Sequence, residues 1–135
     1  MLSGKPVYRA GFFIRKGKGD RMAAVVEEKE YHMCPKFEKT FSILGKKWNG
    51  LIIDVLLSDE PKRFKDIASK VDKCSDRVMV ERLKELEKEG IVEKTTREGC
   101  CRELYQLTAQ GRDLATVMED AHAWANKWYT LEDCR

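Results

Sequence analysis

Five cysteines are the most reactive side chains of this sequence, and their spacing limits what they can do. Cys34, Cys74, Cys100, Cys101 and Cys134 include no C-x-x-C pair and are odd in number, so neither a disulfide framework nor a zinc ribbon fits. No metal site and no cofactor are expected. Cys34 is the thiol best placed for chemistry. Pro35 follows it and suits the first turn of a helix, where unpaired N–H groups carry partial positive charge and favour a thiolate. His32, Lys36 and Lys39 lie nearby in sequence. Cys100 and Cys101 are adjacent, which permits a strained vicinal disulfide or a soft-metal pair, but no third ligand is in view and idle thiols fit as well. Cys134 fits an idle thiol or one that pairs with a second copy. His32 and His122 are the only bases that titrate near neutrality. With no Gly-rich phosphate loop, nucleophile motif or H-E-x-x-H spacing, an enzyme is not expected. A thiol enzyme built on Cys34 and His32 is the remaining enzymatic alternative.

The second constellation is basic and lies on a helix. From Ser75 to Gly90, Met79, Leu83 and Leu86 recur at i, i+4 and i+7, with Ser75 a good N-cap and Gly90 a good stop. Between them Arg77, Val80, Glu81, Arg82 and Lys84 form a polar outer face. A shorter helix, Phe64 to Val71, comes before it through a turn at Asp72, Lys73 and Cys74. After Gly90 the period becomes that of strands, Ile91 to Thr96 and Leu104 to Leu107, around a turn at Gly99. Helix, tight turn, capped helix and hairpin is the order of a winged helix-turn-helix, mainly α with a small β-hairpin wing. Binding of double-stranded DNA is the function that this order implies.

Charge supports that reading through its distribution. The positive net charge arises in residues 1–21, which hold six basic side chains and one acid, while the remainder has twenty basic and twenty-two acidic residues. Pro61 to Arg102 has twelve basic and nine acidic residues, and Glu103 to Arg135 three basic and six acidic. A basic reading end opposite an acidic terminal element suits a small DNA-binding dimer, although a solvated charged surface gives similar counts. No apolar run approaches the ~20 residues of a membrane span. No secretory signal is seen, so a cytoplasmic protein is expected.

Residues 1–21 lack a sustained period and read as a disordered or non-native extension. Lys18-Gly19-Asp20 is encodable by codons containing a bacterial ribosome-binding signal, which suggests translation from Met22; a basic arm touching phosphates is the alternative. Residues 22–33 are expected to form an N-terminal arm or short helix, 34–129 the winged-helix domain, and 130–135 a tail. Phe37, Phe41 and Leu44 mark the first helix, ended by Gly45. A second helix, Asn49 to Leu57, should face Leu51, Ile52, Val55 and Leu56 inward. Thr108 should cap a last helix running to about Tyr129, with Leu114, Val117, Met118, Ala121, Trp124, Ala125 and Trp128 on one stripe. So many large side chains exceed what a domain this small can cover, which favours a homodimer seam over packing within the chain.

From Cys34 to Tyr129 the chain resembles the HxlR family of winged-helix bacterial transcription regulators, relatives of the MarR group. The likeness rests on CPKFEKTFSILGKKW (34–48), PKRFKDI (61–67), ERLKELEKEGIVEK (81–94) and YQLTAQGRDL (105–114). The resemblance implies an obligate homodimer joined through the first and last helices, which adds Phe37 and Phe41 to the seam. It also implies a pseudo-palindromic operator, with repression commoner than activation. Position by position, it puts Ser75, Asp76, Arg77, Val80, Glu81, Arg82 and Lys84 on the reading helix in the major groove. Arg77 suits a guanine edge and Val80 a thymine methyl. Arg82 and Lys84 suit phosphates, as do Arg63 and Lys65, while Arg97 and Arg102 flank the wing turn.

Two departures stand out. Relatives commonly carry Pro-Pro-Arg in the wing where this chain has Cys100-Cys101-Arg102, and Glu103 occupies a place where they prefer an apolar residue. Cys74 falls where relatives put isoleucine, and so reads as core. Some members of the family sense quinones, aldehydes, hypochlorite or disulfide stress at the place of Cys34, and many carry the thiol with no sensing role. A redox sensor and a semi-buried seam thiol both stay open for Cys34. Also open are a MarR-like regulator controlled by a small ligand and a winged helix used for protein contacts. Asp76 and Glu81 on the outer face favour the last.

Overall fold

Proline in the first turn and glycine after the last set the first helix. In the computed structural model, which describes residues 30–58, 60–99 and 102–135, α1 spans Pro35–Leu44 and the Gly45 N–H bonds the Phe41 carbonyl at 2.9 Å. The expectations for residues 1–21, for 22–29 and for Cys100 and Cys101 lie outside the described residues. Residues 30–34 have no regular structure. By contacts the chain divides into Met1–Pro35 and Lys36–Arg135, and the fold below is that of the second unit.

α2 spans Asn49–Leu56, and it follows Trp48, whose φ of 80° is unusual for a bulky residue. Two contacts hold this corner. Buried Asn49 donates its Nδ2–H to the Ile43 carbonyl at 2.9 Å, and the Lys47 ammonium lies 4.8 Å from the Trp48 ring centre. α2 buries Asn49, Ile52, Ile53 and Leu56, whereas Leu51 is 52% exposed. The expected inward place of Leu51 is therefore corrected. Positions 49, 52, 53 and 56 follow the helical period, and Leu51 falls outside their arc.

α3 spans Phe64–Lys70 and α4 spans Asp76–Lys88. The Ser75 Oγ accepts the Val78 N–H at 3.2 Å, and Gly90 takes the left-handed φ of 81° that ends the helix. Antiparallel strands β1, Val92–Thr95, and β2, Leu104–Leu107, pair in the register Val92 with Leu107 and Thr95 with Leu104. A further bridge joins Lys62 to Tyr105, with backbone bonds of 2.9 and 2.7 Å. It ties the entry to α3 onto the wing, and the sequence reading had no place for it.

The expected single last helix is two. α5 spans Ala109–Arg112 and α6 spans Ala115–Trp128, with the turn closed by the Leu114 N–H on the Gly111 carbonyl at 3.0 Å. Thr108 caps α5 by accepting the Gly111 N–H at 3.1 Å and donates its hydroxyl to the Gly90 carbonyl at 2.6 Å. A short 3-10 turn, Glu132–Cys134, follows α6. The core gathers Ile52, Ile53, Leu56, Ile67, Val71, Cys74, Met79, Leu83, Leu86, Ile91, Val92 and Leu107. No residue of α1 or α6 is buried. Leu114 and Met118 lean on this core, while Phe37, Phe41, Val117, Ala121, Trp124 and Trp128 are exposed and Ala125 is half-buried. Among the described residues, no helix is long and apolar enough to cross a membrane.

Of the described glycines, Gly111 leaves the least room for a side chain, since a Cβ there would collide with the Ile91 carbonyl oxygen. Gly111→Ala must push α5 off β1 and should cost about 1–3 kcal/mol, as overpacking does. Urea unfolding at matched protein concentration should show the fall in midpoint; an unchanged midpoint would mean that this approach is loose.

Candidate nucleic-acid interface

The interface follows from how α4 is buried. With Met79, Leu83 and Leu86 fully inside, the helical period turns Arg77, Val80, Glu81 and Lys84 to the opposite side. All four are exposed, Val80 to 40%, as are Ser75 and Asp76 at the start of the helix. This start is the end that enters the groove in helix-turn-helix proteins. Ser75 accepts the cap bond from the Val78 N–H with its exposed hydroxyl.

Arg82 departs from the outward place expected of it. Its side chain is only 17% exposed, its Nε donates to the Lys47 carbonyl at 3.1 Å, and its Nη1 stands 3.5 Å from Glu85. Glu85 also receives the Lys46 ammonium at 2.9 Å. The outward place of Arg82 is corrected on this ground: the guanidinium expected to meet a phosphate is engaged within the domain, on the side of α4 away from Val80.

The flanks gather further basic groups. Between the starts of α3 and α4 and the base of the wing lies an open depression of about 630 Å³, lined among others by Arg63, Lys65, Asp76 and Arg102. Arg63 and Lys65 are exposed. The Arg63 guanidinium and backbone N–H both bond the Asp66 carboxylate, at 3.3 and 3.2 Å, and hold that carboxyl below its usual range. Arg97 and Arg102 are exposed on the two arms of the wing, and Gly99 takes a φ of 78° at its turn. Glu103 is exposed and lies 3.4 Å from Lys94, so the acid that stands where relatives prefer an apolar residue sits outside the core in an ion pair.

The described thiols divide by burial. Cys34 is exposed, directly before Pro35, and Cys134 is exposed with its S–H donating to the Thr130 carbonyl at 3.3 Å. Cys74 is buried in the core, where desolvation pushes its thiol up despite the opposing charge of Arg82. Among the described residues, no cluster of His, Cys, Asp and Glu is arranged to hold a metal ion.

Comparison with known proteins agrees with this geometry. The family model for the HxlR-like helix-turn-helix matches residues 43–133. YodB, an HTH-type transcriptional regulator of Bacillus subtilis (strain 168), is 47% identical over 97 residues, covering 71% of this chain and 86% of YodB. Solved structures of YodB in reduced, quinone-bound and diamide-treated forms are 46%, 46% and 44% identical, with TM-scores of 0.63, 0.61 and 0.59. They cover 72%, 70% and 74% of this chain and 95%, 100% and 99% of theirs. The redox regulator HypR in its oxidised form is 28% identical with a TM-score of 0.64, covering 72% of this chain and 99% of that one. The matched segment takes in the helix-turn-helix, the wing and α6, and on that extent the chain belongs to the HxlR-like helix-turn-helix family of transcriptional regulators.

Proposed function

We propose that this regulator works in the cytoplasm as a homodimer that represses transcription from a pseudo-palindromic operator, and that it leaves the DNA when Cys34 reacts with a thiol-directed electrophile. The observation that carries the DNA half is the exposed strip Arg77, Val80, Glu81 and Lys84 on a helix whose other side is wholly buried. Arg77 reads guanine through O6 and N7, Val80 meets a thymine methyl, and Glu81 accepts from a cytosine amine. Ser75 and Asp76 stand at the groove edge. Lys84, Arg63, Lys65, Arg97 and Arg102 hold phosphates and set register. Arg82 is not among the contacts.

The dimer half is supported by two helices that bury no residue within the chain while leaving Phe37, Phe41, Trp124 and Trp128 exposed by 57%, 53%, 57% and 61%. Helices of this length owe most of their stability to a packed face, and a second copy supplies it through Leu114, Val117, Met118, Ala121 and Ala125 as well. The thiol half draws on the quinone-bound and diamide-treated structures of YodB and on HypR, a redox regulator. A quinone needs only one thiolate: a sulfur–carbon bond forms, one ring oxygen takes a proton from water, and the hydrogen of the attacked carbon moves to the other oxygen as the ring becomes the hydroquinone. The adduct is bulky, and at the foot of α1 it disturbs the seam on which half-site spacing depends.

Selection from random duplexes with the reduced protein should recover an operator with two related half-sites. On it, Arg77→Ala should cost about 1–3 kcal/mol and relax preference at one base pair, while Lys84→Ala should weaken all sequences alike and flatten the salt slope by about one. Failure to enrich any sequence would end the DNA reading. Sedimentation should find a dimer that Trp124→Glu dissociates, and a monomeric parent would remove the seam. Benzoquinone should release the operator from the parent and from Cys134→Ser but not from Cys34→Ser; equal release from all three would clear Cys34 of the sensing role.

A further inference from the structure

Around the axis of α4, Arg82 stands about 150° from the middle of the strip formed by Arg77, Val80, Glu81 and Lys84. It borders the buried side and faces the corner between α1 and α2. There its guanidinium bonds the Lys47 carbonyl at 3.1 Å and approaches Glu85 at 3.5 Å, and Lys46 reaches the same carboxylate at 2.9 Å. One turn further on, Lys39 of α1 pairs with Glu89 at 3.0 Å. The apolar contacts beneath α4 choose its buried strip, but being non-directional they leave its finer tilt and rotation to directional bonds. A guanidinium bonded to the Lys47 carbonyl is directional, and Glu85, on α4 itself at i+3, adds a second tie to the same corner through Lys46.

We infer that Arg82 is a positioning residue for DNA reading: bonded to the Lys47 carbonyl, and to Glu85 which in turn holds Lys46, it fixes the attitude of α4 and so the approach of Arg77 and Val80 to base edges, without touching DNA. The inference rests on the duplex-reading role proposed above. Glu85 is its necessary partner, and this gives a sign that no contact role shares. Removing an acid near a phosphate surface by charge alone strengthens binding to every duplex, whereas loosening the clamp weakens binding to the operator only.

The test compares the parent, Arg82→Met, Arg82→Lys and Glu85→Gln, each below its melting temperature, on the operator selected by the parent and on a shuffled duplex of equal length. Arg82→Met and Glu85→Gln are expected to lose about tenfold or more on the operator and less than about twofold on the shuffled duplex. Arg82→Lys, which keeps the charge but reaches one acceptor at most, is expected to fall between. The salt slope should stay that of the parent, because no phosphate contact is lost. A phosphate role would instead weaken both duplexes alike, lower the slope by about 0.9 for Arg82→Met, and leave Arg82→Lys near the parent. That result overturns the inference, as does Glu85→Gln binding both duplexes more tightly, or lower melting with an unchanged preference for the operator. If Arg82→Met does not fold, Glu85→Gln decides. Failure of the parent to select an operator would sink the DNA reading itself, and is seen before any variant is made.

Discussion

The burial of one strip of α4 governs the rest of the domain. Met79, Leu83 and Leu86 are fully removed from water against a core that includes Ile52, Ile53, Leu56 and Ile67. Each such side chain contributes about 1.5–3 kcal/mol when fully buried, so rotating α4 to bring another strip inside would expose three of them at once. The choice of buried strip is also the choice of outward strip, since the period of 3.6 residues leaves no freedom between them. Val71 and Cys74 in the turn join the same core, which keeps α3 beside α4. The outward face of α4 is thus a consequence of packing before any charge is considered.

Charge then divides the basic residues into those already engaged within the domain and those left to solvent. Arg82, Lys46 and Lys39 are drawn to Glu85 and Glu89 at the end of α4 that lies away from its capped start, and Lys94 is drawn to Glu103 on the wing. Arg63 bonds Asp66 and so meets a phosphate only by rearranging. Exposed surface pairs of this kind contribute little stability each, so their effect lies in where they hold a side chain. A near-neutral count of charges is therefore compatible with a directional surface.

The order of elements was legible because each is punctuated by residues with one structural use. Ser75 and Thr108 cap, Gly90 and Gly99 take left-handed turns, and the 79–83–86 spacing gives the buried strip. Features that depend on distant partners were not legible. Nothing local in Lys62 announces its backbone pairing with Tyr105 across more than forty positions. The break between α5 and α6 escapes a reading of apolar period, because the stripe continues through Leu114 while the backbone turns; Gly111 marked it, through its need to pass against Ile91. Leu51 misled because hydrophobicity was counted without phase, and Asn49, polar yet buried, took its place in the strip. Arg82 looked like its exposed neighbours in sequence, and only its acceptors at Lys47 and Glu85 distinguish it.

Helix α1 joins the parts of this chain that a signal would have to connect. Its foot follows Cys34, its exposed side carries Phe37 and Phe41 with their rings 4.9 Å apart, and Lys39 on its later turns pairs with the end of α4. It has no buried residue of its own to anchor it. A helix that buries no residue of its own is displaced at lower cost than α4, which is held by its buried strip. The corner formed by Lys46, Lys47 and Asn49 bonds both helices, through Ile43 on one side and through Arg82 and Glu85 on the other, so α1 and α4 are joined outside the core by directional bonds.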